Sequence, residues 1–223
     1  MIAQSSVAVD VAGLDPDFVP YADGLQLQLA AADRVVAGED DGTLILLEHE
    51  HVYTAGRRAR PEEYPTDGTP VVPVDRGGLV TWHGPGQLVG YPIIKLSPNR
   101  GVVDVVRALE QVIIDVSAAF GVTGYRVAGR TGVWAQAGAA EAKYAQIGLR
   151  ARAHVITHGF ALNCSNSLEP FGGFVPCGIT DAGAATLSTL AGTEITPADV
   201  VPVITPRLVA ALEELTAVEE FTA

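Results

Sequence analysis

Apolar residues recur at helical spacing from Val102 to Phe120. Val102, Val105, Val106, Leu109, Val112, Ile113, Val116 and Phe120 form one stripe, and Gly121 supplies a stop. A second stripe, Phe18, Tyr21, Leu25, Leu29 and Ala32, predicts a helix over 16–36. The stretch 197–218 reads as one or two terminal helices. A short helix is expected over 182–190, with Asp181 as its N-cap. Between these, short apolar runs rich in β-branched residues predict strands over 44–48, 71–74, 79–82, 88–96, 131–136, 143–150 and 155–163. The stretch 51–61 reads as a basic turn carrying Arg57, Arg58 and Arg60. The stretch 62–70, rich in Pro, Thr and acid, reads as a loop, and the small residues of 137–142 as a turn.

So many neighbouring strands favour a mixed or antiparallel sheet over strict βαβ alternation. No repeat or linker divides the chain. A single α/β catalytic domain over 1–223, with helices flanking the sheet, is the expected architecture.

Composition narrows the function. Hydrophobic residues make up 48% of the 223 positions and charged residues 18%, which reads as globular. The net charge of −12 argues against nucleic acid as a partner, because phosphate binding needs clustered Lys and Arg. Two cysteines make no disulfide framework, so a reducing cytoplasm is expected. The first ten residues hold no Lys or Arg and no long apolar run, so no signal peptide is read there. No apolar stretch is long enough to span a bilayer, and no membrane partner is expected.

The candidate chemistry rests on a cysteine, a lysine and two histidines in Gly-rich surroundings. Cys177 lies in Pro176-Cys177-Gly178-Ile179, a poor strand interior and a turn-like setting. A thiolate there would be a strong nucleophile, helped by a helix N-terminus near Asp181. The plain alternative is a small core residue, which is how Cys164 reads. Lys143 opens a strand. Beside a thiol its ammonium would favour the thiolate and could take or return a proton, whereas most lysines are simply solvated. His83 and His158 each precede a glycine, but no HExxH or CxxC spacing accompanies them, so no metal site is expected. Arg76-Gly77-Gly78 is neither a Walker loop nor a dinucleotide fingerprint. Its glycines would let backbone N–H groups approach a ligand or an oxyanion, or would simply make a hairpin turn. These features together point to acyl transfer built on cysteine and lysine.

The chain resembles the octanoyltransferases of lipoate biosynthesis, also called the lipoate–protein ligase B family. The resemblance rests on Leu47-Glu48-His49 with Val52-Tyr53-Thr54 and Gly56-Arg57-Arg58. It continues through Arg76-Gly77-Gly78 to Thr81-Trp82-His83-Gly84-Pro85-Gly86-Gln87, Lys143 with Ile147-Gly148, His158-Gly159-Phe160-Ala161-Leu162-Asn163, and Pro176-Cys177-Gly178-Ile179. It implies an α/β fold of the biotin/lipoate-ligase type, similar to class II synthetases. It implies Cys177 as nucleophile and Lys143 as the lysine that lowers the thiol pKa. The acyl pocket would comprise Arg76, Gly77, Gly78, Leu79, Val80, Thr81, Trp82 and His83, with Gln146, Ile147, Gly148, Gly159, Phe160 and Ala161. His158 and Asn163 would support it. The donor would be octanoyl acyl carrier protein. The acceptors would be lipoyl domains of 2-oxoacid dehydrogenase complexes and the glycine cleavage H protein. No cofactor is implied. Trp82 stands where the family often has tyrosine, and Tyr144 where an aliphatic residue is usual.

The octanoyl tail that the resemblance implies calls for a narrow, mostly apolar tunnel, polar only at its mouth, with Leu79, Trp82, Ile147 and Phe160 as walls and Gly77, Gly78, Gly148 and Gly159 leaving room for the chain. Two other functions fit a chain of this kind. One is an ATP-dependent lipoate or biotin ligase on the same fold. The other is an acyl-binding module in which Cys177 only packs.

Overall fold

The computed structural model describes residues 7–173 and 183–217. Cys177, with Pro176, Gly178, Ile179 and the expected cap Asp181, lies outside the described residues.

Among the described residues, eight strands form one mixed sheet in the order β1 (Ala8–Gly13), β2 (Gly42–Leu47), β6 (Gln87–Ile94), β10 (Val155–Asn163), β9 (Ala140–Arg152), β8 (Arg130–Ala137) and β7 (Tyr125–Val127), with β11 (Gly183–Ala184) beside β9. The β1–β2 and β9–β11 pairs are parallel and the others antiparallel. A smaller sheet has the order β4 (Val71–Pro73), β3 (Val52–Ala55), β5 (Val80–His83). The mixed sheet with flanking helices is the architecture the sequence predicts.

Alternation along the central strands gives the large sheet two apolar faces. Leu44, Leu46, Leu88, Ile94, Phe160 and Leu162 pack with α2 (Val102–Ala119) and α4 (Pro197–Thr216). Ile45, Leu47, Val89, Tyr91, Ile93 and Ala161 pack with Ala31 and Val35 of α1 (Tyr21–Ala37). The small sheet has its own core of Tyr53, Ala55, Val80, Trp82 and Phe171, with the Trp82 and Phe171 rings meeting edge to face at 5.9 Å.

β1 and β7 have no counterpart among the strands expected from the sequence, and three other elements differ from expectation. The stretch read as a basic turn contains β3, whose four residues are all buried; the arginines come after the strand and do not interrupt it. Helix α1 begins at Tyr21, because Val19 pairs with His49 and only the residues beyond Pro20 are free to coil. Helix α3 (Leu187–Ala191) takes its cap from Thr186, whose hydroxyl accepts the Thr189 N–H. Helix α4 runs unbroken through Pro202 and Pro206. Both prolines are exposed and four residues apart, so the carbonyls they leave without a helical partner face water. Among the described residues no helix is long and apolar enough to cross a membrane.

Candidate active site

A narrow cavity of about 50 Å³ lies between the two sheets and the start of α1. Of the residues expected to form the pocket, Arg76, Gly77, Gly78, Thr81, His83, Gln146, Ile147, Gly148, Gly159, Phe160 and Ala161 line it, and so does His158. Leu79, Val80 and Trp82 do not. In β5 successive side chains point to opposite faces, so Thr81 and His83 face the cavity while Val80 and Trp82 enter the small sheet's core. Tyr21, Val89 and Tyr91 complete the wall. Tyr21 and Tyr91 went unmarked in the sequence because an aromatic on an apolar stripe or strand looks like core. The exposed surface of this wall is mostly apolar, with the polar side chains of Arg76, Thr81, His83, Gln146 and His158 set along it.

A polarised chain of hydrogen bonds runs behind this wall. Arg76 can only donate; it bonds the Thr54 carbonyl at 2.7 Å and the Thr54 hydroxyl at 2.9 Å. That hydroxyl is left to donate to His83 Nε2 at 3.3 Å. At the other end the Ala185 carbonyl can only accept, so Asn163 gives it its NH₂ at 3.0 Å. Asn163 Oδ1 then accepts from Gln87 Nε2 at 2.9 Å, and Gln87 Oε1 accepts from His83 Nδ1–H at 2.8 Å. The two ends together fix His83 as the neutral Nδ1–H tautomer. Burial, with His49 and Arg76 nearby, pushes His83 down to about 3. His49 donates Nδ1–H to the Val19 carbonyl at 2.8 Å and accepts from the Tyr91 hydroxyl at 2.6 Å; burial pushes it down to about 4. Asn163 thus supports the site from behind, without reaching the cavity.

His158 has a φ of +59°, rare for a residue with a side chain. Its N–H turns to Gln28 Oε1 at 2.9 Å and its ring meets Asp75 at 2.8 Å, with Arg150 also paired to Asp75. Burial holds His158 below its ordinary value, against the pull of Asp75.

The glycines have assigned partners. The Gly77 N–H, a candidate oxyanion donor, bonds the Leu149 carbonyl at 3.1 Å. A Cβ on Gly159 would lie 1.8 Å from the Gly90 carbonyl of β6, and one on Gly148 would lie 3.0 Å from Arg76 Cδ. In the direction a side chain would take, strand contact fills the space at Gly159 and the Arg76 side chain fills it at Gly148.

Lys143 is buried in β9, with Nζ 5.5 Å from the centre of the Trp134 ring. It is not part of the cavity wall, but it projects from the same sheet face. Trp134 pairs with Lys143 and Val133 with Ala145, so Tyr144 is one residue extra on β9. This bulge shifts the alternation and puts Lys143 on the face of Gln146. Gly132 opposite has a φ of +113°, and its N–H is held by Glu110, itself paired with Arg107 and Arg126. β11 returns the chain beside Lys143, where the Ala185 N–H bonds the Lys143 carbonyl at 3.0 Å. Cys164 is packing, as expected: it is fully buried and burial pushes its thiol far up.

This fold is that of a lipoyl-ligase type of catalytic domain. Residues 20–209 match the lipoyl protein ligase A/B catalytic domain family, and the chain belongs to that family. It is an acyltransferase. It is 52% identical over 211 residues to an octanoyltransferase of Clavibacter sepedonicus, covering 92% of this chain and 91% of that one. It is 51% identical over 191 residues to an octanoyltransferase of Renibacterium salmoninarum, covering 85% and 82%. In fold it is similar to a bipartite lipoate protein ligase of Thermoplasma acidophilum, with a TM-score of 0.71 at 13% identity over 94% of this chain and 85% of that one. It is also similar to the biotin protein ligase of Aquifex aeolicus, with a TM-score of 0.56 at 13% identity over 94% and 71%.

Proposed function

We propose that this chain, acting as one catalytic domain, transfers an octanoyl group from acyl carrier protein to a lysine of a lipoyl domain through a thioester on Cys177. The observation that carries this reading is the 52% identity to an octanoyltransferase over nine-tenths of both chains. Lys143 supports it: a buried ammonium on the cavity's sheet face, in a socket built from Gly132 and Trp134.

The Cys177 thiolate attacks the thioester carbonyl, and the bond to the carrier sulfur breaks. Lys143 gives its proton to the leaving thiolate, which departs as a thiol. The acceptor amine then attacks the acyl-enzyme and the bond to Cys177 sulfur breaks. The amine's proton returns to Lys143 and the Cys177 thiolate is restored. Thioester to amide is downhill, so the transfer needs no nucleotide.

Arg57, Arg58 and Arg60 suit an acidic carrier protein. They are exposed, and the loop is tied to the cavity lip by the Arg57 N–H to the Arg76 carbonyl at 3.1 Å and the Arg58 N–H to the Gly78 carbonyl at 3.2 Å. Lipoyl domains of 2-oxoacid dehydrogenase complexes and the glycine cleavage H protein are the proposed acceptors, in the cytoplasm.

Mass spectrometry after mixing the protein with octanoyl-carrier protein, without ATP, tests the proposal. The expected result is an octanoyl adduct on Cys177 that is lost to a lipoyl domain. Product that forms only with ATP would overturn it in favour of a ligase. Neither adduct nor product would leave a binding module.

A further inference from the structure

Two residues lining the cavity carry a buried oxygen atom with no hydrogen-bond partner among the described residues: Thr81 Oγ1, from the small sheet, and Gln146 Oε1, from the large one. Their residues are only 6% and 7% exposed. Polar atoms buried this deeply are nearly always paired, because leaving water without a new partner is unfavourable. Elsewhere around the cavity Arg76, His83 and His158 are each held by the bonds described above. An octanoyl tail brings only C–H groups and would leave both oxygens as they are.

We propose that Thr81 and Gln146 form a subsite for an N–H-bearing group of the substrate, beside the acyl chain. The inference rests on the acyl-transfer reading and deepens it. Gln146 Oε1 accepts the N–H. The Thr81 hydroxyl, which can give or accept, takes the second polar contact. The apolar part of the wall, Val89, Ile147, Phe160 and Ala161, is left for the tail. Two groups of the reaction carry such an N–H: the amide of the pantetheine arm on the donor, and the lysine nitrogen of the acceptor.

Calorimetric titration in a Cys177→Ala background, where no ligand is consumed, tests this with three probes. Octanoate carries no N–H, S-octanoyl-pantetheine carries the donor's amide, and N-octanoyl-lysine amide carries the acceptor's nitrogen. Gln146→Met should weaken one or both N–H ligands about tenfold and leave octanoate unchanged. A loss confined to the pantetheine ligand assigns the subsite to the donor; one confined to the lysine ligand assigns it to the acceptor. Thr81→Val should act on the same ligand. Both variants delete an unpaired buried oxygen, so their melting temperatures should hold or rise. Equal losses for octanoate, no loss for any ligand, or a lowered melting temperature in both variants would overturn the proposal. The titration is read without turnover, so a wild-type protein that forms no octanoyl adduct would defeat the transfer reading separately.

Discussion

Gly132 and Lys143 share one space: a Cβ on Gly132 would stand 2.4 Å from Lys143 Cε and 3.1 Å from its Nζ. The same Cβ would lie 2.4 Å from the Ala145 carbonyl, and the φ of +113° suits glycine alone. Gly132→Ala should therefore both strain β8 and displace the ammonium. In urea unfolding it should cost more than about 1 kcal/mol. Lys143→Ala should keep the fold and lose most of the transfer rate. Combined, the two should destabilise less than their sum by at least about 0.5 kcal/mol, because removing Lys143 relieves one of the two clashes. Strict additivity would show that the two residues do not share this space.

Gln87 is the hinge of the polar chain behind the cavity. Gln87→Leu would leave the His83 N–H and Asn163 Oδ1 buried without partners. A loss of about 2–4 kcal/mol is expected, measurable by chemical unfolding. Gln87→Glu keeps an acceptor for His83 and adds a charge. It should raise the His83 pKa from about 3 by an amount visible in the imidazole proton shifts on NMR titration.

Of the three buried histidines, His49 and His83 are pushed far down and should make the fold acid-sensitive. His49 at about 4 and His83 at about 3 stay neutral in the folded chain, while in the unfolded chain each binds a proton near its ordinary 6.5. The unfolded state therefore holds more protons below 6.5, and stability falls as the pH drops from there toward 4 and then 3. At about 1.4 kcal/mol per unit, His49 alone accounts for about 3 kcal/mol. Replacing it by glutamine, which keeps a donor and an acceptor, should flatten the fall in unfolding free energy between pH 6.5 and 4. An unchanged slope would show that His49 is not the group responsible.

The two cysteines should separate cleanly. Cys164 is fully buried among apolar side chains, with its thiol near the Leu162 carbonyl at 3.5 Å. Cys164→Ser should cost about 1–3 kcal/mol for the buried hydroxyl and leave the specific activity of the folded fraction intact. Cys177→Ser should do the reverse, abolishing transfer at little cost in melting temperature.

The basic loop gives a prediction about rate. Replacing Arg57, Arg58 and Arg60 together by glutamine should lower the association rate with carrier protein at low salt. The effect should shrink as ionic strength rises and the Debye length falls below about 8 Å. Stopped-flow mixing at two salt concentrations reads it. A salt-independent effect would indicate a contact other than charge.

By itself the sequence determined the periods. The stripe of α2, the doubly buried runs of β2 and β6, and the spaced glycines of the Arg76–Gln87 motif arise from local side-chain chemistry and were legible residue by residue. It also determined which chemistry was available, since Cys177, Lys143 and the arginines stand out against an acidic chain. The tertiary structure decided which way those side chains face. Lys143 shares a face with Gln146 only because Tyr144 bulges from β9. His158 reaches Asp75 through a left-handed backbone. Thr81 and His83 are divided from Val80 and Trp82 by which side of β5 meets the cavity. A run of letters has a period but no inside. Facing is set by pairing and register between strands far apart in the chain, where one extra residue reverses every side chain beyond it.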